Sequence, residues 1–209
     1  MQILYIETNF LMAIANGREI QAEDLLQQIP NSIRIVIPAI CYIEAISTWE
    51  KSKYYFQQFS QELDKQINNS ERDTTSNNAK KFLENLQELK VLNGSLLNDV
   101  QGRLADAIDI LLTRTELIQL EQQIIQDVAQ TTIIQPETLL IQNDIMDNLI
   151  LRSIIEHASS HTQATKVFLS ANANDFGKQE VKAALRDAGI SKYFTRTQDF
   201  LGWLQSQNI

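Results

Sequence analysis

The stretch QILYIETNFL, residues 2–11, decides the fold. It begins as a short apolar run, which Glu7, Thr8 and Asn9 interrupt abruptly. An apolar run of this length that stops at polar residues is typical of a buried strand ending at the edge of a sheet. We therefore predict a strand over residues 2–6, with Glu7 at its carboxyl end.

Three further segments have the same strand-like character. Residues 33–37, IRIVI, are rich in β-branched residues, and residues 166–169 and 193–195 are shorter apolar runs. Helical patterns separate these strands and cover residues 8–15, 20–29, 144–161, 179–188 and 199–207, and a further one runs from residue 38 with a possible continuation past residue 59. Strands that alternate with helices indicate parallel βαβ units with helices on both faces of the sheet. The sequence therefore predicts an α/β protein with three α/β/α layers around a central, mostly parallel sheet.

A helical block interrupts this alternation. Residues 68–78, NNSERDTTSNN, are the most loop-like stretch of the chain and predict an exposed linker. Asn93-Gly94 predicts the end of the first helix of the block, and residues 113–116, TRTE, predict a capping box that opens its last helix. We expect two or three antiparallel helices. The predicted organisation is one domain over residues 1–209, with a core from residues 1–67 and 136–209 and a helical insertion at about residues 76–135.

The composition excludes several classes of protein. Gly 6 and Pro 3 amount to about 4% of the 209 residues, against roughly 12% in an average chain, which favours long helices. A hydrophobic content of 44% and a single cysteine, Cys41, exclude disordered and disulfide-rich chains, and we expect Cys41 to lie in the core. The net charge of −8 argues against a broad basic face for duplex DNA. Without a secretory or membrane-spanning pattern, we expect a cytoplasmic protein that does not contact a membrane.

Acidic and amide side chains occur where the predicted strands end. Glu7 ends the first strand, Glu44 lies about two turns into the helix after the second, and Asn172 and Asp175 follow the third. Because ligands of parallel α/β sheets bind beyond the carboxyl ends of the strands, we expect these side chains to lie near one another. Glu44 has largely apolar neighbours, and a buried carboxylate normally needs a partner or a metal.

Two further acids, Asp144 and Asp147, lie three residues apart near the start of a predicted helix and share one of its faces. Such acids are also favoured at a helix N-terminus by the helix dipole alone. Asn172 and Asp175 can likewise be ordinary turn residues, and Glu7 a surface acid. The residue types alone therefore leave a structural and a functional interpretation open.

Four segments in this order resemble the motifs of the PIN domains, a family of metal-dependent ribonucleases related to flap nucleases. Residues 6–11, IETNFL, resemble the family's opening motif of a strand followed by Asp-Thr-Asn. Residues 38–45, PAICYIEA, resemble the second motif, in which the Glu is an active-site acid. Residues 147–151, DNLIL, resemble the helix that gives the third acid, and residues 168–176, FLSANANDF, resemble the closing Thr-x-Asn-x-x-Asp-Phe motif. The resemblance therefore extends over both ends of the chain.

The resemblance implies an endoribonuclease, a hydrolase of phosphodiester bonds that binds single-stranded RNA and uses Mg²⁺ or Mn²⁺. The catalytic residues that it implies are Glu7, Glu44, Asp147, Asn172 and Asp175. The implied metal ligands are Glu7, Glu44, Asp147 and Asn172, and motif position favours Asn172 over Asp175. Supporting roles are implied for Asn9, Asp144 and Ser170.

Two residues depart from the family pattern. Glu7 stands where relatives usually carry Asp, and its extra methylene moves the carboxylate by about 1.5 Å. Asn172 is neutral where many relatives carry Asp. A second hypothesis is therefore a catalytically weak or silent PIN-like module that binds RNA or a protein partner. A third is an α/β phosphotransfer or hydrolase domain that uses Glu7 differently. The helical insertion is a candidate surface for a homo-oligomer or a protein partner.

His157 and His161 lie four residues apart on the helix that carries Asp147, a spacing that suits zinc. Glu156 precedes His157 instead of following it as in the zinc metalloprotease pattern, and the sequence shows no third ligand. Histidines are also favoured near a helix C-terminus. We therefore predict solvated residues at the end of this helix.

Overall fold

The computed structural model describes residues 2–207, over which the chain forms a five-stranded sheet and eight α-helices. The strands are β1 (Gln2–Ile6), β2 (Ile33–Pro38), β3 (Glu116–Ile118), β4 (Thr165–Leu169) and β5 (Ile190–Phe194). The helices are α1 (Thr8–Ala15), α2 (Ile20–Gln27), α3 (Ile40–Ser70), α4 (Asn77–Arg114), α5 (Gln122–Ile134), α6 (Ile145–Ser160), α7 (Gln179–Asp187) and α8 (Thr197–Ser206). A short 3₁₀ turn lies at Pro136–Thr138.

The sheet is parallel throughout, with strand order β3-β2-β1-β4-β5. Strand β1 lies at its centre, where Leu4 pairs with Ile35 on one side and with Val167 on the other. Both faces of β1 are covered, since Leu4, Tyr5 and Ile6 are completely buried. The carboxyl ends of all five strands therefore lie at one edge, and the predicted α/β fold is confirmed.

Helices cover both faces of the sheet. Helices α1, α2 and α4 pack on one another, and α8 packs on α2. Helix α6 packs on β2, β3 and α5. From β1 to β3 the chain moves across the sheet in one direction, and from β3 to β5 it moves in the other. Because parallel crossovers are right-handed, this change of direction places α5, α6 and α7 on the face opposite α1, α2 and α4. The result is the three-layer arrangement that the sequence predicts.

The edge strand β3 differs from the sequence-based prediction. The capping box predicted at residues 113–116 is wrong, because Thr115 closes α4 and Glu116 begins a strand. The Thr115 hydroxyl donates to the carbonyl oxygen of Leu111 over 2.6 Å, and the backbone of Glu116 then pairs with Val36. A strand of three residues is too short to show a period of two.

Helices α3 and α4 form a long hairpin joined by residues 71–76. The helix end predicted at Asn93-Gly94 is wrong, since α4 runs through both residues. Asn93 donates from its side-chain amide to the carbonyl oxygen of Phe56 over 3.1 Å and so ties α4 to α3. This tertiary contact overrides the local preference of Asn-Gly for a helix end. The predicted linker at residues 68–78 lies at this turn.

The carboxyl-terminal half of α4 belongs to the body of the protein. Leu104 and Leu111 are buried in the main core, and the Arg103 side chain donates to the carbonyl oxygen of Ala15 over 2.9 Å. Farther along the hairpin, large apolar side chains are exposed, among them Tyr55, Phe59, Phe82, Leu92 and Leu96. Cys41 is buried in the core, as predicted. No helix within residues 2–207 combines the length and apolar character needed to cross a membrane.

Candidate functional site

Four polar side chains lie at the carboxyl edge of the sheet. Glu7 directly follows β1, and Asn172 lies three residues after β4. Glu44 lies in the second turn of α3, and Asp147 in the first turn of α6. The three carboxylates are close enough for the charges of Asp147 and Glu44 to raise the pKa of Glu7. The structure thus brings together the four residues for which the resemblance implies metal ligation.

Glu7 is the most deeply buried of these acids, with an exposed fraction of 1%. Its side chain caps α1, because Oε2 accepts the backbone N–H of Asn9 over 2.6 Å. Burial raises the pKa of Glu7 to about 8, and the Asn9 amide and the nearby Ser170 hydroxyl offset part of this shift. Among residues 2–207, no donor forms a hydrogen bond of acceptable geometry with Oε1. Glu7 therefore presents a buried oxygen that is free to bind a proton or a cation.

Glu44 is half-buried at the start of α3. Its Oε2 accepts a hydrogen bond from the hydroxyl of Thr8, the residue that follows Glu7. Burial raises the pKa of Glu44, with a smaller contribution from the negative charge of Asp144, whereas Lys51 lowers it. Thr8 thus orients the second carboxylate from the first turn of α1.

Asp147 has an exposed fraction of 5% and lies within the first turn of α6. Asp144 is the N-cap of this helix and accepts the backbone N–H of Asp147 over 2.9 Å. Burial raises the pKa of Asp147 to about 7, and the negative charges of Asp144, Glu44 and Asp175 add to the shift. Asp144 is thus a capping residue, as the simpler interpretation has it. Its negative charge also raises the pKa of Asp147.

Asn172 connects the loop after β4 to Asp147. Its side-chain nitrogen donates to Oδ2 of Asp147 over 2.9 Å, while its own backbone N–H donates to the Ser170 hydroxyl over 3.1 Å. Ser170 is buried, and its carbonyl oxygen accepts the Tyr193 hydroxyl over 3.0 Å. The supporting role predicted for Ser170 thus corresponds to a contact that fixes the Asn172 backbone.

Asp175 lies at the rim of the site. Its backbone N–H donates to Oδ1 of Asn172 over 3.3 Å, and its Oδ1 accepts a hydrogen bond from Lys178 over 2.9 Å. The Lys178 ammonium lowers the pKa of Asp175. Lys178 therefore pairs with Asp175 and favours its charged form.

The donor set fits a hard divalent cation. The available groups are carboxylate oxygens, which Mg²⁺ and Mn²⁺ prefer, and the unpaired Oε1 of Glu7 is one of them. Within residues 2–207, however, no three carboxylates of this site have ligand oxygens within 4.8 Å of one another. Mg²⁺ commonly uses one or two carboxylates and keeps several waters, so a fully converged cage is not required.

Sequence reasoning missed three residues that organise this site. Thr8 and Asn148 are the direct neighbours of predicted acids, and Lys178 lies three residues after Asp175. Asn148 donates to the carbonyl oxygen of Asp144 over 2.7 Å and so steadies the start of α6. The sequence signal for these three residues was that they lie close to the predicted acids. The groups that they contact depend on the tertiary fold and could not be read from the sequence.

A second polar cluster lies under the other end of α6. The prediction of a solvated position is wrong for His157, because its Nδ1 lies 2.8 Å from the Tyr5 hydroxyl and its Nε2 lies 3.1 Å from Oε1 of Glu116. The ring of His161 stacks on that of His157, with centroids 4.2 Å apart. Burial lowers the pKa of His157. Glu116 of β3 is thus a third polar group beside the two histidines, and the sequence did not show it.

Comparison with known proteins gives a family match and structural resemblances, which differ in weight. The family profile described as the PIN domain matches residues 4–176. The crystal structure of VapBC2 from Rickettsia felis, bound to a DNA fragment from their promoter, resembles the chain with a TM-score of 0.38 and 16% sequence identity. The alignment covers 84% of this chain and 92% of that one. No curated protein matches the chain in sequence.

Proposed function

The chain belongs to the PIN domain family, and we propose that it is a divalent-metal-dependent endoribonuclease that cleaves single-stranded RNA. PIN domains are generally nucleases. The observation that carries the proposal is the buried carboxylate of Glu7, whose Oε1 forms no well-aligned hydrogen bond within residues 2–207, although the Ser170 hydroxyl lies nearby. A buried carboxylate oxygen without a partner is costly unless a proton or a cation satisfies it.

Glu7, Glu44 and Asp147 are the residues that would hold Mg²⁺ or Mn²⁺, with Asn172 beside them. When bound, the cation supplies an activated water and stabilises the charge that develops on the phosphodiester. Burial raises the pKa values of all three acids, and neighbouring negative charges add to the shift, so each acid binds a cation in competition with a proton.

The chain's own donors orient these carboxylates before any ligand binds. The backbone N–H of Asn9 fixes Oε2 of Glu7, and the Thr8 hydroxyl fixes Oε2 of Glu44. A side-chain amide does the same for Asp147. A catalytic site gains from such preorganisation because the ligands need not be reordered when substrate and cation bind.

Two lysines place positive charge beside the acids. Lys51 is exposed and close enough to lower the pKa of Glu44, and Lys178 is paired with Asp175 at the rim. The chain has a net charge of −8, so it lacks the extended basic face that duplex binding uses. A few cations beside the acids are enough for a short contact with the phosphate backbone of a single strand. This charge distribution supports a single strand as the substrate.

One observation favours a second candidate, a catalytically weak or silent module that binds RNA or a protein. Oε2 of Glu7 already caps α1, so one of the two oxygens of this carboxylate has a structural role. The exposed apolar side chains of the α3–α4 hairpin would give such a module a surface for a protein partner or a second copy.

Cleavage of a labelled single-stranded RNA by the purified chain tests the proposal. We expect cleavage with Mn²⁺ or Mg²⁺, loss of cleavage in EDTA, and loss of cleavage in Asp147→Asn. Asp99→Asn, which changes an exposed acid of α4, is the matched control and should cleave normally. Cleavage that survives EDTA or Asp147→Asn contradicts the proposal. RNA binding without cleavage in either metal selects the silent module.

A further inference from the structure

The cluster of Glu116, His157 and His161 lies at the opposite end of α6 from the proposed nuclease site. His157 lies ten positions after Asp147, which corresponds to about 15 Å along a helix. Glu116 joins the cluster because β3 lies at the edge of the sheet on the side of β2, next to α6. One ligand atom from each of the three residues lies within 4.8 Å of the other two.

We propose that Glu116, His157 and His161 form a transition-metal site of the kind that binds Zn²⁺. Two imidazoles and one carboxylate are a set of three protein ligands that zinc uses with a water in the fourth position. Imidazole nitrogen suits zinc, whereas Mg²⁺ requires oxygen, so this site and the acid site would select different ions. The proposal does not depend on the nuclease assignment.

The surrounding residues orient the ligand atoms as in known zinc sites. The Tyr5 hydroxyl lies 2.8 Å from Nδ1 of His157, which leaves Nε2 to face Glu116. A hydrogen bond to the non-ligating nitrogen is the usual way in which proteins fix a metal-binding histidine. Nδ1 of His161 lies 2.8 Å from the carbonyl oxygen of His157, which leaves Nε2 of His161 as its ligand atom.

The distance between two of the three ligand atoms already fits a zinc site. Bonds of about 2.0–2.1 Å in a tetrahedron place ligand atoms about 3.3 Å apart. Nε2 of His157 and Oε1 of Glu116 are already 3.1 Å apart. His161 is the half-exposed C-cap of α6, so its side chain can turn toward them without disturbing the core.

One nearby charge opposes a cation. Nε of Arg34 lies 3.0 Å from Oε2 of Glu116, as an ion pair without hydrogen-bond alignment. This pair leaves Oε1 for the metal but lowers the negative charge that the carboxylate offers. We therefore expect Arg34→Met to bind Zn²⁺ more tightly than the wild type. A bound ion would join the end of α6 to β3, the shortest strand of the sheet.

Zn²⁺ titration of the metal-free, full-length chain tests the proposal, with isothermal calorimetry and competition against a chromophoric chelator as readouts. We expect one equivalent to bind the wild type and Asp147→Asn equally, and at least tenfold weaker binding to His161→Ala and Glu116→Gln. Co²⁺ should give the visible absorption of a tetrahedral site in the wild type but not in His161→Ala.

His161→Ala changes a half-exposed side chain, so its melting temperature in EDTA should match the wild type and show that it folds. A Zn²⁺ concentration that saturates the wild type should raise its melting temperature by more than that of His161→Ala. Equal Zn²⁺ binding by wild type and His161→Ala would overturn the proposal. Binding that Asp147→Asn abolishes would also overturn it, because the ion would then occupy the acid site.

Discussion

The side-chain nitrogen of Asn172 donates a hydrogen bond to Oδ2 of Asp147 over 2.9 Å, joining the loop after β4 to the first turn of α6. Its other polar atom, Oδ1, accepts the backbone N–H of Asp175. In this arrangement both polar atoms of the Asn172 amide form hydrogen bonds within the protein, and Asn172 orients Asp147. Direct ligation by Asn172 needs the amide to turn its oxygen toward the cation, and this role stays a prediction.

Asn172→Asp is expected to make the site more dependent on a cation. The new carboxylate faces Asp147 without a donor between them, so repulsion should lower the melting temperature in EDTA. Mn²⁺ should bind more tightly and raise the melting temperature by more than in the wild type. Asn174→Asp, at an exposed position of the same loop, is the control and should behave as the wild type. Equal responses of the two variants to Mn²⁺ would show that Asn172 does not face the cation.

Glu7→Asp separates an adapted nuclease from a silent module. Aspartate also caps helices well, so α1 should persist, but the carboxylate retreats by about 1.5 Å. If the chain is a nuclease adapted to Glu7, metal-dependent RNA cleavage should fall by up to about 100-fold, since a displacement of about 1 Å can cost this much. A gain of cleavage in Glu7→Asp would instead identify a module that the longer side chain had silenced. The melting temperature of the variant checks that it folds.

The central strands and the acids beside them could be predicted because local patterns determine them. The apolar run before Glu7 ends where β1 ends, and the β-branched run of residues 33–37 matches β2. Each run is long enough to be recognised, and parallel topology then places the following polar residues at one edge.

The remaining features depend on contacts between distant segments. Thr8 and Glu44 are 36 residues apart, and Glu116 and His157 are 41 apart. No local pattern encodes such pairs, because they follow from strand order and from where α6 crosses the sheet. For the same reason the sequence did not distinguish His157, which is tied to Tyr5 and Glu116, from a solvated histidine at a helix end.

The stability of the metal-free chain is expected to fall as the pH rises. Burial raises the pKa of Glu7 from its ordinary 4.5 to about 8 and that of Asp147 from 3.8 to about 7. Over this range the folded state binds more protons than the unfolded chain, so the free energy of unfolding falls as the pH rises. The stabilisation that comes from the bound protons is complete at acidic pH and is lost as the pH approaches 8. Melting temperatures in EDTA across the range measure the effect, and saturating Mn²⁺ should oppose it.

Glu7→Gln is the control for this pH dependence. The amide has nearly the same shape but does not ionise, so the melting temperature in EDTA should fall less steeply with pH than in the wild type. A loss of about 1 kcal/mol corresponds to about 2–4 °C for a chain of this size. Identical slopes in the two proteins would mean that the Glu7 carboxyl does not titrate in this range.

Gly177 is expected to be necessary for the loop that carries Asn172. A Cβ at position 177 would lie 2.1 Å from the carbonyl oxygen of Ala173, a backbone atom that cannot move independently. Gly177→Ala should therefore destabilise the fold by about 1–3 kcal/mol and weaken metal-dependent cleavage, since the same loop positions Asn172 against Asp147. Gly94→Ala is the matched control, because a Cβ at this position of α4 meets nothing within 4 Å and should stabilise the helix by about 0.5–1 kcal/mol. Urea unfolding of both variants measures these changes, and a Gly177→Ala variant as stable as the wild type would show that the loop can relax around the added methyl group.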